Sequence, residues 1–393
     1  MAMVSLFSLL FGNVIKIFTV RASRQLRELY SFSLLFSFAF SLVTIFEPVF
    51  FYQQGFSLAK IALYYALHYS LYVVLMPLGG KFAARFGLER TLALSTPFFV
   101  LYFLILAALP EVPHLFWLAF VVLTIHKIFY WPSFHADFSK FSDGSNRGTE
   151  QSVMSFVNYA AGITGPLVGG IVATHWGFSA LFVMAAATVL VAGFPLLRTR
   201  ERYQVVDFPY ESVWRFIRAP RQRRMVITMC GMGEELIHLV FWPIFLFLVM
   251  GTPDKLGAVV SFSIIIATLW GFLVGELSDR FSERRVLRLA VPILVLGNVT
   301  RVLAVTPLRA LAIDTITRMA TVSVRTPMLA RLYRNAQNFG HLRYALAFEM
   351  VLAIAKAVTA WLLVGLFVWV TPTLGLQAAF WLAAALALLY AFL

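Results

Sequence analysis

Of 393 residues, 61% are hydrophobic and 13% are charged, against roughly 25% charged in a soluble domain, so a soluble globular protein is excluded. The net charge of +14 does not signal nucleic acid, because the basic residues cluster in short connections between apolar runs. Cys230 is the single cysteine, which excludes an internal disulfide. Alternating segments of about ten residues are absent, so a transmembrane β-barrel is not expected.

In chain order, residues 1–29 come first. Ser5, Ser8, Gly12, Lys16 and Thr19 recur at three- and four-residue spacing and give an apolar helix one polar stripe. This predicts an amphipathic helix on the inner leaflet, with an extra span as the alternative. The segment lacks a basic start and a small-residue cleavage site, so it does not read as a signal peptide. Twelve apolar runs follow, each long enough to cross a bilayer as a helix. Six lie at 30–53, 58–79, 91–109, 115–138, 151–174 and 178–197, forming a bundle over 30–197. A polar linker covers 198–224, in which 211–218 reads as a short interfacial helix. Six more lie at 225–250, 256–275, 286–305, 310–332, 344–370 and 376–393, a second bundle over 225–393.

Basic residues set the orientation. Lys81, Arg85, Arg90, Lys140, Arg147, Arg280, Arg284, Arg285, Arg334 and Arg343 sit in even-numbered connections, and eight arginines lie in the linker. The odd-numbered connections hold little beyond Lys60, Lys255 and Arg309. Both termini are therefore expected in the cytoplasm of a multi-pass plasma (inner) membrane protein.

Ionisable residues inside lipid are costly and face a bundle interior or an aqueous path. Runs three, six and twelve hold none, and run nine has Arg288 and Arg301 near its ends, where both can snorkel. Run one holds Glu47, run two His68, run four His126 and Lys127, and run seven Glu234, Glu235 and His238. Run ten holds Asp314, Arg318 and Arg325, and run eleven Glu349 and Lys356. Every third helix is thus expected to face lipid, around a charged central pathway. Asp314, Arg318 and Arg325 fall within about 40° of one another on a helix. Asp314 with Arg318 reads as an ion pair, which leaves Arg325 over to attract an anionic group. Glu234 and His238 share a face, as do Glu349 and Lys356. Glu47, just before Pro48, is the first choice for carrying a proton, with Glu234 and Glu235 second. Its alternative role is a structural ion pair with Lys127 or Arg318. The histidines His68, His126, His135 and His238 read as hydrogen-bonded imidazoles; no metal site and no cofactor are expected. His135, Asp137, Asp143 and Arg147 at the inner end of run four read as a conformational latch.

Two charged turns repeat half a chain apart. The second, after run eight, reads Gly275-Glu276-Leu277-Ser278-Asp279-Arg280-Phe281-Ser282 and continues into Glu283-Arg284-Arg285. The first, after run two, is Gly80-Lys81-Phe82-Ala83-Ala84-Arg85-Phe86-Gly87 and continues into Leu88-Glu89-Arg90. With two six-helix halves, these turns resemble the major facilitator superfamily. The resemblance implies an all-α membrane fold of two six-helix bundles related by a pseudo-two-fold axis. In that family the first copy carries an acid, where this chain has Ala84; here Asp279 sits in the second copy. By pseudo-symmetry Asp279 is expected near Arg147 at the start of helix five, holding the cytoplasmic side shut. Gly165-Pro166-Leu167-Val168-Gly169-Gly170, with Gly162 before it, resembles the antiporter signature of the drug/proton subgroup, and equally suits close helix packing. Lys127-Ile128-Phe129-Tyr130-Trp131 is a weaker match, with Trp131 where that subgroup has a small residue.

The expectation is a secondary active transporter, not an enzyme, with no P-loop, zincin motif or nucleophile elbow. It is expected to work as a monomer in the lipid bilayer, moving a small-molecule substrate by alternating access, with protons exchanged for efflux. Uptake by symport or facilitation, or a lipid-handling or sensor role, are the alternatives.

Overall fold

The computed structural model describes residues 24–141, 147–198, 210–280 and 283–392. Residues 1–20, read above as an amphipathic helix, lie outside them. The described residues are all helical or in short connections, with no strand. Helix α1 runs over Arg24–Val43 and resumes as Phe46–Gln53; α2 is Leu58–Phe86, α3 Leu88–Ala108 and α4 Leu115–Phe141. Arg147–Arg198 is interrupted at Gly177, which divides it into α5 and α6. Helix α7 spans Arg223–Cys230 to Trp242–Met250 in several segments. It is followed by α8 (Pro253–Arg280), α9 (Glu283–Thr300), α10 (Pro307–Phe339), α11 (His341–Trp369) and α12 (Pro372–Ala387). The linker contributes the helix Glu211–Arg218.

Among the described residues, ten stretches are long and apolar enough to cross a membrane. One of them, Val157–Phe194, holds both α5 and α6. Helix α10 is not among the ten: Asp314, Arg318 and Arg325 charge it. Local chemistry explains where helices begin and turn. Ser57 accepts from the Lys60 amide at 3.2 Å to cap α2, and Thr306 accepts from the Arg309 amide at 3.4 Å to cap α10, with Pro307 next. Gly87 (φ 106°) and Gly177 (φ 83°) stand where consecutive helices reverse in a left-handed backbone that a side chain resists. Helix α1 breaks at Thr44 and Ile45 because Pro48 has no N–H to offer the Thr44 carbonyl. Helix α7 tightens into a 3₁₀ turn at Gly231–Gly233 and widens into a π turn at Ile237–Phe241, ahead of Pro243.

Helices α3, α9 and α12 find their principal neighbours within their own bundle and expose Leu101, Leu289 and Trp381. Between the bundles, α2 runs along α11 and α5 along α8. The Gly-Pro-x-x-Gly-Gly segment of α5 serves two contacts at once. Gly165 and Gly169 lie against Ser41, Leu42 and Phe46 of α1. Gly170 meets Pro253, whose carbonyl oxygen would be 2.6 Å from an added Cβ. The carbonyl of Pro166 lies against Gly257 of α8, and α5 stays helical through Pro166, its one non-helical residue being Gly177. Gly257→Val is therefore expected to overpack this seam and cost about 1–3 kcal/mol. A thermal melt of the purified variant checks this, and an unshifted midpoint would contradict the packing.

The seam meets at both ends. At the end bearing the basic turns, Ala83, Leu88 and Ala136 of the first bundle form one apolar cluster with Ala345 of the second. A side chain at Gly80 would strike Leu346. At the other end Thr174 of α5 donates to Asp254 of α8 at 3.3 Å, and the outer part of α1 packs on α7.

Candidate functional site

Between these two closures lies a cavity of about 70 Å³. Its polar wall is Thr44 and Glu47 of α1, Tyr65 and Tyr69 of α2, Tyr102 of α3 and Lys127 of α4. Leu236, Leu239 and Val240 of α7 cover it from the second bundle. The helix break before Pro48 places Glu47 at this wall. Tyr65 donates to Glu47 Oε1 at 2.9 Å, and Tyr64 donates to the Tyr102 hydroxyl at 3.3 Å. Glu47 has no salt bridge among the described residues, so neither Lys127 nor Arg318 is its ion-pair partner. The Lys127 ammonium donates to Tyr69 Oη at 3.4 Å and lies 4.9 Å from that ring's centre.

Tyr69 also faces the second bundle, where the Lys356 ammonium is 5.5 Å from its ring centre. Lys356 bonds Glu235 Oε2 at 2.7 Å, and Arg325 bonds Glu235 Oε1 at 2.9 Å. One carboxylate thus holds two cations. Arg325 is not left over, and Lys356 does not pair with Glu349 along its own helix. Asp314 is fully buried between Arg318 (2.7 Å) and the Trp242 indole (2.8 Å). Glu234 and His238 also go separate ways. Tyr390 donates to Glu234 at 3.4 Å, while Arg301 donates to His238 Nδ1 at 2.7 Å. Arg301 does not snorkel: it is 0% exposed, its guanidinium 4.8 Å from the Trp242 ring centre. It lies beneath the Trp242 and Phe380 rings, an aromatic roof that the sequence position does not disclose.

Glu349 bridges the bundles instead. Tyr72 of α2 donates to its Oε2 at 3.0 Å, and His135 of α4 pairs with its Oε1 at 3.1 Å. His68 and His126 are hydrogen-bonded inside the first bundle. His68 bonds Thr124 at 2.8 Å, and His126 bonds the Ser95 carbonyl at 3.0 Å while stacking on Phe99. Among the described residues no group of three or more His, Cys, Asp or Glu could hold a metal.

Of the gating residues, Gly80 and Gly87 lie at the α2–α11 contact and the α2–α3 reversal, and Arg85 is exposed beside Phe86. Ala84, where the family's acid is absent, is buried. Gly275, Asp279 and Arg280 fall in α8 and Arg147 in α5, but their side chains lie outside those described, as does Asp143, so the Asp279–Arg147 contact stays an expectation. The signal that singles out Glu235 over Glu234 is not a spacing. It is the 3₁₀ turn and π turn on either side, which reset the helix phase.

The sequence profile of the Major Facilitator Superfamily matches residues 29–341. The chain belongs to the major facilitator superfamily. An uncharacterized MFS-type transporter of Yersinia enterocolitica is 26% identical over 158 residues, which are 39% of this chain and 41% of that protein. The chain therefore aligns with less than half the length of this relative. Among solved structures, a mutant of the nucleoside transporter NupG superposes with a TM-score of 0.72 at 14% identity, covering 94% of this chain and 98% of that one. The Escherichia coli fucose:proton symporter FucP, also a mutant, gives a TM-score of 0.63 at 14% identity, covering 93% and 97%. The fold is the major facilitator fold of two six-helix bundles, and the protein is a multi-pass membrane transporter rather than an enzyme.

Proposed function

We propose that this transporter moves a small organic solute by alternating access, coupled to protons through Glu47. One observation carries the reading: Glu47 and Lys127 line the same cavity at the bundle seam without pairing to each other. Asp314 and Glu235 are neutralised by cations at 2.7 and 2.7–2.9 Å. Among the described residues Glu47 and Glu234 both have hydroxyl partners and no bonded cation, but of the two only Glu47 lines the cavity, which makes it the acid placed to take up and release a proton as water access alternates. The basic turns and both termini lie on the cytoplasmic side of the inner membrane, and the functional unit is the monomer.

Two couplings share this machinery. Efflux by proton antiport follows from the resemblance of Gly165–Gly170 to the antiporter signature. Cotransport is favoured by Lys127, a fixed cation beside Glu47 that lets a proton and a solute occupy the cavity together. It is also the coupling named for FucP. We take cotransport as the reading.

The test is solute flux in proteoliposomes under an imposed pH gradient, screened across a metabolite and drug panel. An acidic outside should drive accumulation by cotransport; expulsion would instead assign exchange. Glu47→Gln should abolish the response to the gradient while leaving solute exchange in place. Gradient-independent flux in the native protein, or an unchanged response in Glu47→Gln, would remove the proton from the account.

A further inference from the structure

Resting on the proton reading above, we infer that the co-transported solute is a small organic monoanion with an apolar body. Charge balance in the cavity points to it. With Glu47 ionised, Glu47 and Lys127 cancel. When Glu47 takes up its proton, Lys127 is left without a counter-charge, since its partners are the hydroxyl and ring of Tyr69 at 3.4 and 4.9 Å.

An uncompensated charge in a low-dielectric seam is costly, and the seam must carry its contents across the membrane's midplane. A bound monoanion cancels the charge that the proton uncovers. The empty cavity, and the cavity holding one proton and one monoanion, then have the same net charge. A neutral solute leaves Lys127 exposed, and a cationic one adds to it. The solute's carboxylate would take the Lys127 ammonium in a charge-assisted hydrogen bond. Its body would lie against Phe40, Phe99, Phe103, Leu123, Leu239 and Val240, an aromatic and aliphatic surface that offers no hydrogen bonds. The volume of about 70 Å³ is well under the roughly 300–1,000 Å³ of pockets for drug-sized ligands, which fits a small body.

The test is calorimetric titration of the purified full-length protein. The probes are lactate, benzoate and phenylacetate, their amides, and benzylamine and phenethylamine. Titrating in buffers of different ionisation enthalpy counts the protons exchanged. At least one carboxylate should bind with uptake of a proton, and its amide at least about tenfold more weakly. Lys127→Met should weaken that carboxylate about 10- to 100-fold and leave the amide unchanged. Lys127→Arg, which keeps the charge and guards against a folding defect, should retain binding. Glu47→Gln should keep carboxylate binding and lose the proton uptake. Tighter binding of an amide or amine than of every carboxylate, no carboxylate binding, or Lys127→Met without effect would overturn the inference. If an amide binds with proton uptake that Glu47→Gln removes, the coupling stands and the anion falls. If a carboxylate binds through Lys127 with no proton exchanged, the proton reading falls.

Discussion

Glu235→Gln is expected to destabilise the protein by about 3–5 kcal/mol, the cost of removing one side of a buried ion pair. The Glu235 side chain is 14% exposed, and those of Lys356 and Arg325 are 8% and 29% exposed. Its two oxygens bind different cations, on α11 and α10. Without the carboxylate, two cations face each other in an apolar bundle. Removing a cation is not equivalent. Lys356→Met leaves Glu235 and Arg325 as a neutral pair, so its effect should be under about 1.5 kcal/mol, within the range of a tolerated hydrophobic swap. The double variant Glu235→Gln with Lys356→Met should recover part of the loss. Thermal melts of the three purified variants check the order. Equal destabilisation by Glu235→Gln and Lys356→Met would contradict the shared-carboxylate arrangement.

Glu349→Gln should open the basic end of the seam. Glu349 is 2% exposed and is the acceptor for groups on two helices of the opposite bundle, Tyr72 and His135. Hydrogen bonds to a charged group contribute about 1.5–3 kcal/mol each. Losing that much from one closed conformation shifts a two-state equilibrium by one to several powers of ten. The apolar cluster of Ala83, Leu88, Ala136 and Ala345 then has to hold that end alone. With Cys230→Ser as background, a cysteine at Ala345 should react with a thiol reagent at least about tenfold faster in Glu349→Gln. Tyr72→Phe should give a smaller increase, because His135 still holds the other oxygen. No change in either would remove Glu349 from the closure. One of its donors, Tyr72, lies on α2, the helix that ends in the turn where the family's acid is replaced by Ala84.

Much of the architecture is legible in residue order because lipid imposes a simple rule: a helix either faces acyl chains and is apolar, or faces the seam and is permitted charge. That rule finds α10, whose Asp314, Arg318 and Arg325 take it out of the set of apolar spans, and it separates the peripheral α3, α9 and α12 from the rest. It also finds Glu47 and Lys127, which line one cavity. Pairing is less legible. Counting residues at a constant helical angle puts Glu234 beside His238 and Glu349 beside Lys356. In α7, however, a 3₁₀ turn and a π turn change the angle per residue across that very stretch. In α11 the acid and the lysine are drawn to different bundles, since Tyr72 and His135 compete for Glu349 while Glu235 takes Lys356. Cross-helix partners hundreds of residues apart leave no trace in local spacing. Arg301 is the sharpest case. Near a helix end a long cation usually reaches for water, but Trp242 and Phe380 enclose it and His238 accepts from it.

The account depends on a seam that opens to each side in turn around the cavity of Glu47 and Lys127. The direct measurement places one cysteine at Thr44, which lines that cavity, in a Cys230→Ser background. A membrane-impermeant thiol reagent is then applied to right-side-out and to inside-out vesicles. Labelling from both sides, slowed from both by a bound solute, is the predicted result. Labelling from one side alone, or from neither, would contradict alternating access to this cavity.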